Sequence, residues 1–196
     1  TTNNSSIRFK GDKITEIKKL KVNVSLENLF SIKSMKLNQV ILEKANFNLK
    51  KDNYNFFYNL LDGNFNDFNF EILNSNIFYR SLENEILFIN NISNAKYYFD
   101  TKEIRNILHS NNEIFNLPYS IKIFNDKIEK IIFSEIKIDT LRLQINNQTK
   151  YIGKNYSGLS ELTFINSKSL AEYEVNNNFF EFKYIDKLQN PEFSYE

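Results

Sequence analysis

From Met35 to Leu49 apolar and polar residues alternate, with Met35, Leu37, Ile41, Ala45, Phe47 and Leu49 on one side and Lys36, Asn38, Lys44, Asn46, Asn48 and Lys50 on the other. Successive side chains of a strand point to opposite faces. The pattern therefore predicts one strand with a greasy and a wet face, roughly 50 Å long at about 3.3 Å per residue. Gln39 and Glu43 interrupt the apolar side, while Val40 and Leu42 fall on the polar side. Both an unbroken strand and a strand with a bulge near its middle fit that irregularity. A long sheet with one apolar face needs a cover, either its own core or a ligand.

The same period of two recurs at Leu20, Val22, Val24; at Phe68, Phe70, Ile72; at Ala95, Tyr97, Phe99; and from Phe115 through Leu117, Tyr119 and Ile121 to Ile123. Two segments change face midway: Phe68, Phe70 and Ile72 give way across Asn74-Ser75-Asn76 to Ile77 and Tyr79, and Ile136 and Ile138 give way to Leu141, Leu143 and Ile145. Each switch predicts a bulge or bend that keeps the apolar residues inside a curved sheet. Ala171, Tyr173 and Val175 followed by three asparagines and by Phe180, Phe182 and Tyr184 predict a hairpin, because Asn tolerates the left-handed backbone of a short turn.

Helical patterns are few and short. Ser25 is placed to cap a turn carrying Leu26, Leu29 and Phe30, Asn53 or Asn55 to start a helix with Phe57, Leu60 and Leu61 that ends at Gly63, and Ile104, Ile107 and Leu108 share a helical face. The expected fold class is mainly β with a few short helices (α+β), built on a long, curved, largely antiparallel amphipathic sheet that is groove-like or half-closed. The 196 residues fit a single β-rich domain or a fragment of a larger protein. A weak echo between 30–37 and 133–138 fits a two-unit repeat with a boundary near 101–112, although a biased composition generates such matches by chance more often than not.

That bias is strong: asparagine is about one residue in six, with Lys, Ile, Phe and Tyr also abundant. Mutational pressure in an AT-rich genome accounts for it without any ligand chemistry. The net charge is +1, with lysines interspersed among acids, so no long-range field favours nucleic acid, which is not expected as a partner. Absence of cysteine excludes disulfides, thiolate metal sites and thiol catalysis. No run approaches the roughly 18 apolar residues of a membrane-spanning helix.

The ingredients of a catalytic site are sparse. His109 is the sole histidine, the four glycines show no phosphate-binding spacing, and no Gly-x-Ser-x-Gly elbow occurs. Glu135, Asp139, Glu161, Glu172, Glu174 and Glu181 are the carboxylates that a glycan-cleaving pair would draw on, and spacing alone does not bring any two together. No enzyme activity, catalytic residue, metal or cofactor is expected.

The run from Leu29 to Asp52, Leu-Phe-Ser-Ile-Lys-Ser-Met-Lys-Leu-Asn-Gln-Val-Ile-Leu-Glu-Lys-Ala-Asn-Phe-Asn-Leu-Lys-Lys-Asp, followed by the helix pattern to Gly63, resembles the N-terminal part of AsmA-like proteins. Ile114-Phe115-Asn116-Leu117-Pro118-Tyr119-Ser120-Ile121-Lys122-Ile123 is similar to a strand of that family, and Asn76-Ile77-Phe78-Tyr79-Arg80 fits the same pattern. The resemblance implies a Gram-negative envelope protein, anchored to the inner membrane by a helix outside this chain, with its body in the periplasm. It implies a role in outer-membrane assembly and lipid transport. It also implies a β-groove that holds acyl chains of phospholipid or another lipid, with outer-membrane assembly components as further partners. Met35, Leu37, Ile41, Ala45, Phe47 and Leu49 are the lipid-facing candidates. The alternative is a scaffold domain for outer-membrane protein assembly, with no lipid groove of its own.

Overall fold

The computed structural model describes residues 1–26, 35–54, 69–102, 104–126, 128–153, 155–176 and 180–185, and these are almost wholly β. The chain divides into two compact units, Thr1–Pro118 and Tyr119–Glu196. Strands β1 (Thr2–Phe9), β2 (Asp12–Leu26), β3 (Met35–Leu49), β4 (Asn69–Arg80), β5 (Ile86–Asp100) and β6 (Arg105–Ile114) form the sheet of the first. Each pairs with the next, antiparallel throughout except for β3 and β4, which run parallel. Strands β7 (Leu117–Asp126), β8 (Ile131–Ile138), β9 (Leu143–Ile152), β10 (Asn155–Phe164), β11 (Ser167–Val175) and β12 (Phe180–Ile185) make an antiparallel meander in the second. The mainly β, largely antiparallel class expected from the alternation is the one observed.

The long alternating segment is β3, with the bounds Met35–Leu49. Its irregularity is a kink. Lys44 has φ 55, and level with it lie Asn4 (φ 56) in β1 and Asn74 (φ 48) in β4. Register puts these residues side by side: Asn3 faces Lys19 and Ser5 faces Ile17, Lys19 faces Glu43 and Ile17 faces Ala45, and Glu43 faces Leu73. A left-handed residue within a strand breaks the alternation, so the apolar parity changes there. Val40 and Leu42 before the kink and Ala45 and Phe47 after it consequently share one core, with Ile17, Leu20, Ile72 and Ile77 around them.

The switch predicted at Asn74-Ser75-Asn76 is this kink seen on β4. The second switch, between Ile138 and Leu143, is made by a 3-10 turn at Asp139–Leu141 and by Arg142, whose φ is 49. Strands β11 and β12 pair antiparallel as the predicted hairpin requires, Val175 facing Phe180 and Ala171 facing Tyr184, while the turn residues 177–179 lie outside the described residues.

Two expectations are corrected. Residues 104–108 are not helical: Arg105–Ile114 is β6, paired along its length with β5. Ile107 is buried and its neighbour Leu108 half-buried. Neighbours in a strand point to opposite faces, so the period of two was hidden and the spacing imitated a helix. Phe115 does not begin the following strand either. It forms a tight turn with Asn116 (φ 52 and 61) and is 75% exposed. The other helix patterns, at 25–30 and 53–63, fall largely outside the described residues. The only helical segment of three residues or more among those described is the Asp139–Leu141 turn.

Candidate functional site

The six residues placed on one greasy side do not form one surface. Ala45 is wholly buried and Phe47 nearly so, both in the core of the first unit. Ile41 is opposite Lys21 and beside Glu71, on the face away from Leu42. Leu37 is half-buried opposite Val24, Leu49 is half-buried level with Tyr79, and the side chain of Met35 lies outside the described set. The grouping failed because Lys44 swaps the parity, and a lysine in the left-handed region carries no local sequence signal.

The face away from the core is polar and cross-linked in rows. Glu43 takes Lys19 at 3.5 Å and Lys21 at 3.6 Å, and Glu71 takes Lys96 at 3.6 Å. Asn76 donates to Asn46 at 3.1 Å, Asn111 to Asn94 at 3.1 Å and Asn23 to Gln39 at 2.8 Å. His109 is exposed in this row, opposite Lys96.

At one end of the first sheet a cleft of about 480 Å³ opens between the β1–β2 turn, the turn after β3 and the end of β4. Lys10, Lys13, Lys50 and Arg80 line it, with Asp12 and Asp52. Nearby, Tyr79 stacks on Phe88 with ring centroids 4.2 Å apart. Burial raises the Tyr79 phenol above its ordinary value, and Tyr54 adds to the rise.

The second unit is organised differently. None of its described residues is fully buried. Register aligns Ile121, Ile136, Ile145 and Leu162 across β7, β8, β9 and β10 into one apolar row. Leu162 in that row is 39% exposed. On the same face, two residues along each strand, Ser160 donates to Asn147 at 2.8 Å and Asn147 to Thr149 at 2.8 Å. The opposite face carries the stacked pair Phe124 and Phe133, 4.6 Å apart, with Leu159 and Leu170 in a shallow cleft of about 380 Å³.

Of the carboxylates, Glu135 and Glu161 line that same cleft, separated by Asn146 on the strand between them. Two strand spacings place them roughly 10 Å apart at the backbone. Each has a lysine, Lys137 at 3.0 Å from Glu135 and Lys168 at 3.4 Å from Glu161. Glu174 faces Glu181 directly across β11 and β12. Asp139 stands apart in the 3-10 turn. Among the described residues no cluster of three or more His, Asp or Glu is disposed to hold a metal ion, and no helix is long and apolar enough to cross a membrane.

Two groupings escaped the sequence reading. The apolar row of the second unit needs register, since its members lie on four strands. The basic cleft gathers side chains some seventy positions apart, from Lys10 to Arg80, which no local pattern in the chain brings together. Comparison with protein-family models, curated proteins and solved structures returns no match.

Proposed function

We propose that this protein is a non-catalytic module of the Gram-negative envelope that holds or passes lipid acyl chains along its sheet, in the manner that the AsmA-like resemblance implies, in the periplasm. The observation that carries the reading is the row Ile121, Ile136, Ile145 and Leu162, apolar and continuous over four strands, with the three isoleucines half-buried and Leu162 exposed. A sheet face that ends folding with such a row only partly covered gains by covering the rest. Each methylene removed from water contributes about 0.8 kcal/mol, so a tail can be held by partition without a specific polar contact. The lipid-facing role thereby moves from Ala45 and Phe47, which the core already covers, to residues of the second unit.

A second reading, a scaffold domain for outer-membrane assembly, is favoured by the burial of Leu42, Ala45 and Phe47, because a greasy strand covered by its own protein needs no lipid. Native mass spectrometry with lipid extraction, on the whole chain purified from a bacterial envelope, separates the two. Co-purified phospholipid that disappears in Ile145→Asp and Leu162→Asp, with the circular dichroism of the sheet retained, supports the acyl reading. A lipid-free wild-type protein overturns it in favour of the scaffold.

A further inference from the structure

We propose that the cleft at the end of the first sheet binds a phosphate-type oxyanion, carried either by a lipid headgroup or by a free phosphate. Four cations, Lys10, Lys13, Lys50 and Arg80, meet two carboxylates there, in a protein whose net charge is only +1. The lining of this cleft therefore carries two more cations than carboxylates. Lys13 is engaged by Glu16 at 2.5 Å. Lys10, Lys50 and Arg80 have no carboxylate within ion-pair distance among the described residues.

Arg80 is held in place by neutral groups. Its Nε donates to Asn48 Oδ1 at 2.8 Å and its Nη1 to the Asn84 carbonyl at 2.8 Å, and the guanidinium lies 5.8 Å from the centre of the Phe78 ring. These partners orient the fork without neutralising it. Two N–H groups on Nη2 and one on Nη1 remain, in the planar arrangement that meets two oxygens of a phosphate.

The two lysines stand on built turns. Lys10 and Gly11, with φ 50 and 92, close the β1–β2 hairpin, and Arg8 donates to the Gly11 carbonyl at 3.1 Å. Asn53, only 4% exposed, donates to the Asn48 carbonyl at 2.9 Å and accepts from the Lys50 backbone N–H at 2.9 Å. Asn48 thus ties the Lys50 turn and the Arg80 guanidinium to one residue of β3. An anion that arrives finds its cations on a prearranged frame, which lowers the ordering cost of binding. The proposal rests on this cleft alone, independently of the acyl reading.

Titration calorimetry of the whole chain at low ionic strength, with inorganic phosphate and with dihexanoyl phosphatidic acid below its micellar concentration, tests it. Both probes are expected to bind the wild type and to bind Lys10→Gln/Lys50→Gln about tenfold more weakly, the loss of charge-assisted contacts. Added salt weakens the wild-type affinity. Phosphatidic acid binding much more tightly than phosphate assigns the site to a headgroup; equal affinities assign it to the free ion. Absence of binding by both probes, or affinities unchanged in the double variant, overturns the proposal. The lysine pair carries the test because Arg80→Gln also removes the bonds to Asn48 and Asn84, whereas the Lys10 ammonium lies over the Phe9 ring, 5.3 Å from its centre, and donates no hydrogen bond to the turns among the described residues.

Discussion

The side chain of Tyr173 covers Gly158, its partner across the β10–β11 ladder, and occupies the space where a Cβ on residue 158 would stand. The phenol donates to Asn147 Oδ1 at 2.9 Å and accepts from Thr149, whose oxygen in turn accepts from Asn147 Nδ2 at 2.8 Å. Ser160 donates to the same Asn147 oxygen at 2.8 Å. In a unit with no fully buried residue among those described, this closed ring of bonds over a glycine joins β9, β10 and β11. An aromatic side chain laid over a strand glycine in this way helps to pin the register of the two strands.

Gly158→Ala is expected to destabilise the protein by about 1–3 kcal/mol, the cost of overpacking, because the new methyl meets the Tyr173 phenol and the Gln148 carbonyl oxygen. Urea unfolding measures it. In a Tyr173→Ala background the cost falls to what the Gln148 carbonyl alone imposes. An unchanged cost there rejects Tyr173 as the obstacle.

The kink across the first sheet makes Asn74 and Ser75 sensitive to small changes. Asn74→Val puts a branched side chain at φ 48 and is expected to cost about 1–2 kcal/mol, while Asn74→Gly stays near the wild type. Ser75, 1% exposed, accepts from the Ala45 N–H at 2.9 Å and donates to the Leu73 carbonyl at 2.8 Å. Ser75→Ala leaves that buried N–H unpaired, for about 1–3 kcal/mol by the same unfolding assay.

Glu174 and Glu181 face each other across β11 and β12, like charges in direct opposition. Glu181→Lys replaces repulsion by attraction and is expected to stabilise the fold by about 0.2–1 kcal/mol. The gain shrinks in high salt, since both side chains are screened. A gain independent of salt points to another cause.

Tyr79 supplies a pH dependence. Its phenol is raised in the folded protein, by burial first and by Tyr54 second, so the folded state favours the neutral form. The contribution is fully present below the unfolded phenol's value near pH 10 and is lost as pH rises through the higher folded value. Unfolding at pH 8 and pH 11 should show an alkaline loss that is smaller in Tyr79→Phe. An equal loss in both proteins removes Tyr79 as its source.

The class of structure and most of its strands are legible in the chain. The bounds Met35–Leu49, the hairpin after Val175 and the face switches at Asn74 and between Ile138 and Leu143 all follow from apolar parity, which any half-buried strand must obey. Parity read along one strand does not say which face is covered. Lys44 adopts the left-handed conformation level with Asn4 and Asn74, and its own side chain gives no hint of that. The folded sheet parts Ile41 from Ala45 and Phe47 and adds Leu42 to them. Folding also brings Lys10, Lys50 and Arg80 together and sets Ile121, Ile136, Ile145 and Leu162 in a row. These are non-local pairings, set by ladder register between strands, and register is a property of pairs that no single segment contains.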